Sequence, residues 1–196
     1  MSHNKLKNKK MYTDTDIYYD EERILQAKDL ISEWENVKAK RVLEEILQDD
    51  PLCETAHYLL GWIYDHRYDE AKEALHYYHN AIKINPNYYE ALADFTKLLN
   101  EEGKPKLVLK YGEKVIARCS KFQNYIHLEV ILAYEKLKQF KTSLDEIKSL
   151  KFKTTDDGLL EELEKIETRI FSKSELTNQL KIPKIKDWNI QFVNTT

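Results

Sequence analysis

An all-α array of stacked helical hairpins is the fold class that this chain predicts, from a repeat of about 35 residues, a helical apolar period inside each unit, and a scarcity of helix breakers. Ala39, Ala74, Val108 and Ser143 recur at spacings of 35, 34 and 35 residues. Four residues after each stands Leu43, Tyr78, Gly112 or Ile147, and three further on Ile46, Ala81, Val115 or Leu150. A unit recurring at this period buries its apolar face against its neighbours, so the units stack in a row and leave one face open. Only four Gly and four Pro stand among 196 residues, and 33% are charged. Breakers are therefore few and solvated helical faces many.

Residues 1–18 form a basic and polar segment in which Lys5, Lys7, Lys9 and Lys10 cluster, and they read as a solvated tail. The repeats and a capping helix fill residues 19–171. The first unit supplies Ala27, Leu30, Ala39, Leu43 and Ile46 and closes at Pro51, which disfavours helical geometry in the residue before it. The second runs from His57 to Tyr64 and then places Ala71, Ala74, Leu75, Tyr78, Ala81 and Ile82 at i, i+3, i+4, i+7, i+10 and i+11, one helical face. Asn85-Pro86-Asn87 ends it. This unit carries one extra residue, either between its helices or within the first.

The third unit has Gly103 in its inter-helix turn, then Val108, Gly112 and Val115, with Ser120 in the closing position. The fourth is marked by Tyr134, Phe140, Ser143, Ile147 and Leu150, with Thr155 in place of Pro. After Asp156-Asp157-Gly158, a stripe of Leu159, Leu160, Leu163, Ile166 and Ile170 opposes Glu161, Glu162, Glu164, Lys165, Glu167 and Arg169. This helix reads as the cap over the last hairpin; the same stripe would alternatively serve as a dimer seam. From Ser172 the helical signal fades, and residues 172–196 read as a tail. There Trp188, Ile190 and Phe192 alternate with Asn189 and Gln191 beyond Pro183, and the segment either folds back onto the apolar groove or packs on the outside of the capping helix.

Over residues 20 to 155 these positions resemble the tetratricopeptide repeat. That pattern has a small residue in the first helix, an Ala, an aromatic and a second small residue in the second helix, and a closing Pro. The resemblance implies a right-handed superhelical array that acts as an interaction scaffold, with the first helix of each hairpin lining a concave groove. The ligand positions it implies are Ile24 and Lys28, then Tyr58, Trp62 and Asp65, then Ala93, Lys97 and Asn100, then Leu128, Leu132 and Glu135. Tyr58 and Trp62 lie one turn apart and make either an aromatic platform for binding or packing residues between hairpins. Members that capture the carboxylate end of chaperone tails use basic and Asn residues in the groove. Here Ile24, Tyr58, Leu59, Ala93 and Asp94 stand there, which argues against that activity. A partly apolar groove with Asp65, Asp94 and Glu135 around it suits an extended or helical peptide with apolar anchors and some positive charge.

Other classes of function lack their residues. Net charge is -3 with both signs interspersed, so nucleic acid is not the expected partner. No stretch approaches the ~20 apolar residues of a membrane span, and no apolar core follows the first lysines, so the chain is expected to be cytoplasmic. Cys53 and Cys119 form no motif and suit a reducing compartment. His76 and His79 stand at i, i+3 without a matched third ligand and read as helix surface, with no metal or cofactor expected. There is no Gly-rich phosphate loop, no Gly-x-Ser-x-Gly and no His-Glu-x-x-His, hence no candidate for catalysis. The expected function is a non-catalytic, protein- or peptide-binding adaptor or chaperone-like scaffold. The alternative is a self-associating scaffold that dimerises through the terminal helix or tail.

Overall fold

The computed structural model describes the backbone of residues 14–181 and the side chains of residues 21–177. Four antiparallel hairpins follow one another: α1 (Asp14–Ser32) with α2 (Asn36–Asp49), α3 (Glu54–Ile63) with α4 (Ala71–Ile84), α5 (Tyr89–Glu101) with α6 (Pro105–Arg118), and α7 (Gln123–Lys136) with α8 (Phe140–Lys153). A terminal helix, α9 (Asp157–Lys181), completes the described chain.

Each hairpin turns through one left-handed residue: Trp34 (φ 66°), Asp69 (φ 55°), Gly103 (φ 65°) and Lys138 (φ 59°). At three of the four the backbone closes in the same way. The amide of Glu35, Lys104 or Gln139 donates to the carbonyl five residues back, at 2.8, 2.8 and 2.9 Å. These bonds satisfy helix carbonyls that would otherwise lack donors. The second hairpin differs, since Glu70 N donates six residues back to Tyr64 O at 2.9 Å. The extra residue is therefore inside the first helix, where it widens the last turn, Tyr64–Tyr68, into a π-helical one. Between hairpins, Asp50-Pro51 and Asn85-Pro86 make equivalent turns, with Asp50 Oδ1 accepting from Leu52 N at 3.0 Å and Asn85 Oδ1 from Asn87 N at 3.1 Å.

The repeat markers are the core. Ala39, Ala74, Val108 and Ser143 are fully buried, as are Leu43, Tyr78 and Ile147, and Ile46, Ala81, Val115 and Leu150 are at most 1% exposed. Ser143 is tolerated there because its Oγ donates to Ile131 O at 2.9 Å. First helices of neighbouring hairpins also approach each other, α1 to α3 and α5 to α7, so they share one face of the array, called the inner face below.

Leu163, Ile166 and Ile170 of α9 bury themselves with Ile131, Ile147 and Leu150, so this stripe covers the last hairpin within the chain. Asp156 Oδ1 caps the helix by accepting from Leu159 N at 3.0 Å. The helical signal expected to fade at Ser172 instead runs on to Lys181. The apolar stripe does end at Ile170, but Lys173 is anchored on α7 by its hydrogen bond to Glu135, which holds the helix against the array beyond the stripe. The lysine cluster at residues 5–10 and Trp188, Ile190 and Phe192 lie outside the described residues.

Candidate functional site

The inner face is built by α3 with its π turn, α5 and α7. Its residues hold one another through hydrogen bonds between hairpins. Tyr58 OH donates to Asp94 Oδ2 at 3.0 Å, which ties α3 to α5. Asn100 Nδ2 donates to Glu129 Oε2 at 2.7 Å, which ties α5 to α7, and Lys136 Nζ donates to Asn100 O. Arg169 and Lys173 of α9 both reach Glu135 of α7, at 2.7 Å each. Asp65 accepts from Tyr78 OH at 3.1 Å.

The eight residues singled out for ligand contact thus occupy different situations. Tyr58 is half-buried, with its ring 5.1 Å from Tyr88 and 6.0 Å from Tyr78. Trp62 is half-buried and stacks on His66, centroids 4.6 Å apart. Both rings pack against the two central core clusters, so they are joints between hairpins that also present an edge. Asp65 is half-buried, and the half-exposed Lys97 reaches Glu101 at 3.7 Å. Asn100 and Glu135 are buried and engaged between helices. Leu128 and Leu132 pack against the cluster that includes Ile166 and Ile170, because α9 lies over the last hairpin. Of the further positions, Ile24 and Ala93 are buried and Lys28 is exposed. The centre of the inner face therefore unites Tyr58, Trp62, Asp65 and Lys97, whereas Leu128, Leu132 and Glu135 belong to the capped end.

Residues outside that expectation complete the centre. The charges of Glu129, Asp94, Glu101 and Asp65 all act on the ring hydroxyl of Tyr125, whose pKa is raised first by burial and then by these four carboxylates. Tyr125 is nevertheless 41% exposed. Burial raises the Asp94 carboxyl above its usual range, against the opposing Tyr58 hydrogen bond. Burial does the same to Glu129, opposed by Asn100. Lys97 and Lys136 are the nearby lysines, and the desolvated Asp94 and Glu129 gain from an added positive charge. Asp94 and Glu129 stand 35 residues apart at the same repeat position, a spacing from which the pair is readable. The histidines considered as ligands sit elsewhere, His76 accepting from Asn80 Nδ2 at 3.1 Å and His79 facing the Phe95 ring.

At the turn edge of the same surface, the Arg67 guanidinium lies 3.7 Å from the Trp34 ring centroid and 5.0 Å from that of Trp62. The π turn carries Arg67, and its additional residue changes the direction in which the following side chains leave the helix.

The fold is that of a tetratricopeptide repeat solenoid, an all-α helical array. No protein-family model and no curated protein sequence matches the chain. Among solved structures, a MamA double mutant, "MamA RS-1 ArsTM", aligns with a TM-score of 0.65 at 16% identity, over 82% of this chain and 96% of that one. YrrB, described as a TPR protein with an unusual peptide-binding site, aligns at 0.63 and 18% identity, over 81% and 76%. PilW, described as a widely conserved type IV pilus biogenesis factor, aligns at 0.62 and 16% identity, over 80% and 76%. No helix among the described residues is long and apolar enough to cross a membrane.

Proposed function

We propose that this protein is a non-catalytic, cytoplasmic adaptor whose inner face binds an extended or helical segment of a partner protein, carrying lysine or arginine between apolar anchors. The observation that carries the reading is a pair of half-buried carboxylates at one repeat position on successive first helices, Asp94 held by Tyr58 OH at 3.0 Å and Glu129 held by Asn100 Nδ2 at 2.7 Å. A cationic side chain there meets carboxylates already partly stripped of water, where ion pairing is stronger than at an open surface. Tyr58 and Trp62 supply amphipathic rings of the kind enriched at binding hot spots. The likeness to YrrB, described by its peptide-binding site, supports an interaction role for this fold.

The test is fluorescence anisotropy with a fluorescein-labelled decapeptide of alternating lysine and leucine. Asp94→Asn combined with Glu129→Gln should weaken it at least tenfold, while Glu113→Gln with Asp145→Asn, exposed acids on second helices, should leave it within twofold. Equal affinity for the two double variants would reject the assignment.

A further inference from the structure

Trp34 occupies a left-handed backbone position, φ 66°, where the third hairpin uses Gly103 at φ 65°. A bulky aromatic residue is strained there, and glycine would adopt the geometry freely. Burial does not compensate, since Trp34 is 70% exposed. What the indole does is lie against Arg67, whose guanidinium carbon is 3.7 Å from its centroid, with the Trp62 ring 5.0 Å away. Arg67 Nε is buried without a hydrogen-bond partner, and among the described residues no ion pair engages the guanidinium. A guanidinium set against two indoles, with no ion pair to its terminal nitrogens among the described residues, is a cation available to a carboxylate. Strain retained at such a position marks a feature kept for what it contacts.

We propose that Trp34 and Arg67, at the turn edge beside the Trp62 ring that they share with the acidic centre, form a second binding station that receives an Asp or Glu side chain of a partner polypeptide. The planar fork of Arg67 matches a carboxylate in its own plane, and the indoles fix that plane while keeping water from its faces. The π turn is the device that delivers the fork, because the residue added within Tyr64–Tyr68 re-aims Arg67 relative to the other repeats.

The station is tested with two probes at low ionic strength, fluorescein-labelled hexaglutamate and the lysine–leucine decapeptide. Arg67→Met and Trp34→Gly should each weaken hexaglutamate at least fivefold and leave the lysine–leucine peptide within twofold. Lys148→Met, which removes one charge elsewhere, should leave hexaglutamate within twofold. Trp34→Gly should melt no lower than the parent protein, because it relieves the strained turn. Arg67→Lys, which keeps the charge and loses the fork, serves if Arg67→Met does not fold. A hexaglutamate loss under fivefold in either station variant overturns the proposal. So does a Trp34→Gly protein that melts lower, since the stack would then be holding the first two hairpins together. Failure of the lysine–leucine peptide to bind the parent protein would bear on the acidic face alone.

Discussion

Gly61 and Tyr78 decide how closely α3 approaches α4. A Cβ built on Gly61 would stand 2.6 Å from Tyr78 Cδ1 and 2.8 Å from Cε1, so the ring fills the space that the glycine leaves. In the next hairpin the sizes are exchanged: Thr96 stands at the position of Gly61, and Gly112 at that of Tyr78, with a Cβ there 2.7 Å from Val130 Cγ2. The departure of Gly112 from the aromatic pattern is thus a compensated volume. Gly61→Ala should gain about 1 kcal/mol of helix propensity and lose about 1 to 3 kcal/mol to overpacking, with net destabilisation. In a Tyr78→Leu background the same change should become favourable, and urea melts of the four proteins in the cycle would measure the coupling. Ala81→Leu, at a fully buried contact, should cost about 1 to 3 kcal/mol in the same assay. Buried markers were legible in the sequence because repetition exposes them. Tyr125, Trp34 and Arg67 were not, because their roles depend on a widened turn and on neighbours from other hairpins.

The terminal helix is docked by charge as well as by its stripe. Glu135 is buried on α7, and although burial alone would raise its carboxyl pKa, the hydrogen bonds from Arg169 and Lys173 leave it lowered. A carboxyl with a lowered folded pKa adds stability that is complete above its unfolded value, about 4.3, and is lost as pH falls through the folded one. Unfolding of α9 should therefore become easier as the solution is acidified below about pH 4.3, and Glu135→Gln should flatten that dependence, as followed by hydrogen exchange of α9 amides. At neutral pH the substitution should cost about 1 to 2 kcal/mol, less than for a fully enclosed pair because Arg169 and Lys173 are half-exposed and keep their water. A capping helix was readable from Leu163, Ile166 and Ile170. The pairing of Glu135 with Arg169 and Lys173 was not, since it spans 34 and 38 residues that no local period encodes.

At the scale of the molecule, four hairpins turn a row of first helices into one acidic, tyrosine-edged surface closed at one end by α9. The period predicted the stack of hairpins, because each needs its neighbours to bury its apolar face, and the resemblance to the tetratricopeptide repeat implied that first helices share one face. Charge placement across the surface required the fold, which ties Asp94 to Tyr58 and Glu129 to Asn100 on neighbouring first helices. Asp94 and Glu129 have raised pKa values, so acidification neutralises them before ordinary surface carboxylates. Affinity for the lysine–leucine peptide should consequently fall as pH drops, beginning above the usual carboxylate range, and Asp94→Asn with Glu129→Gln should remove that early loss. The most direct measurement is the location of the peptide itself, read from paramagnetic broadening of assigned amide signals by a spin-labelled lysine–leucine decapeptide. Broadening concentrated on α3, α5 and α7 around Tyr58, Lys97 and Tyr125 is the predicted result; broadening centred on α2, α4, α6 and α8, or spread evenly over the surface, would contradict an inner-face binding site.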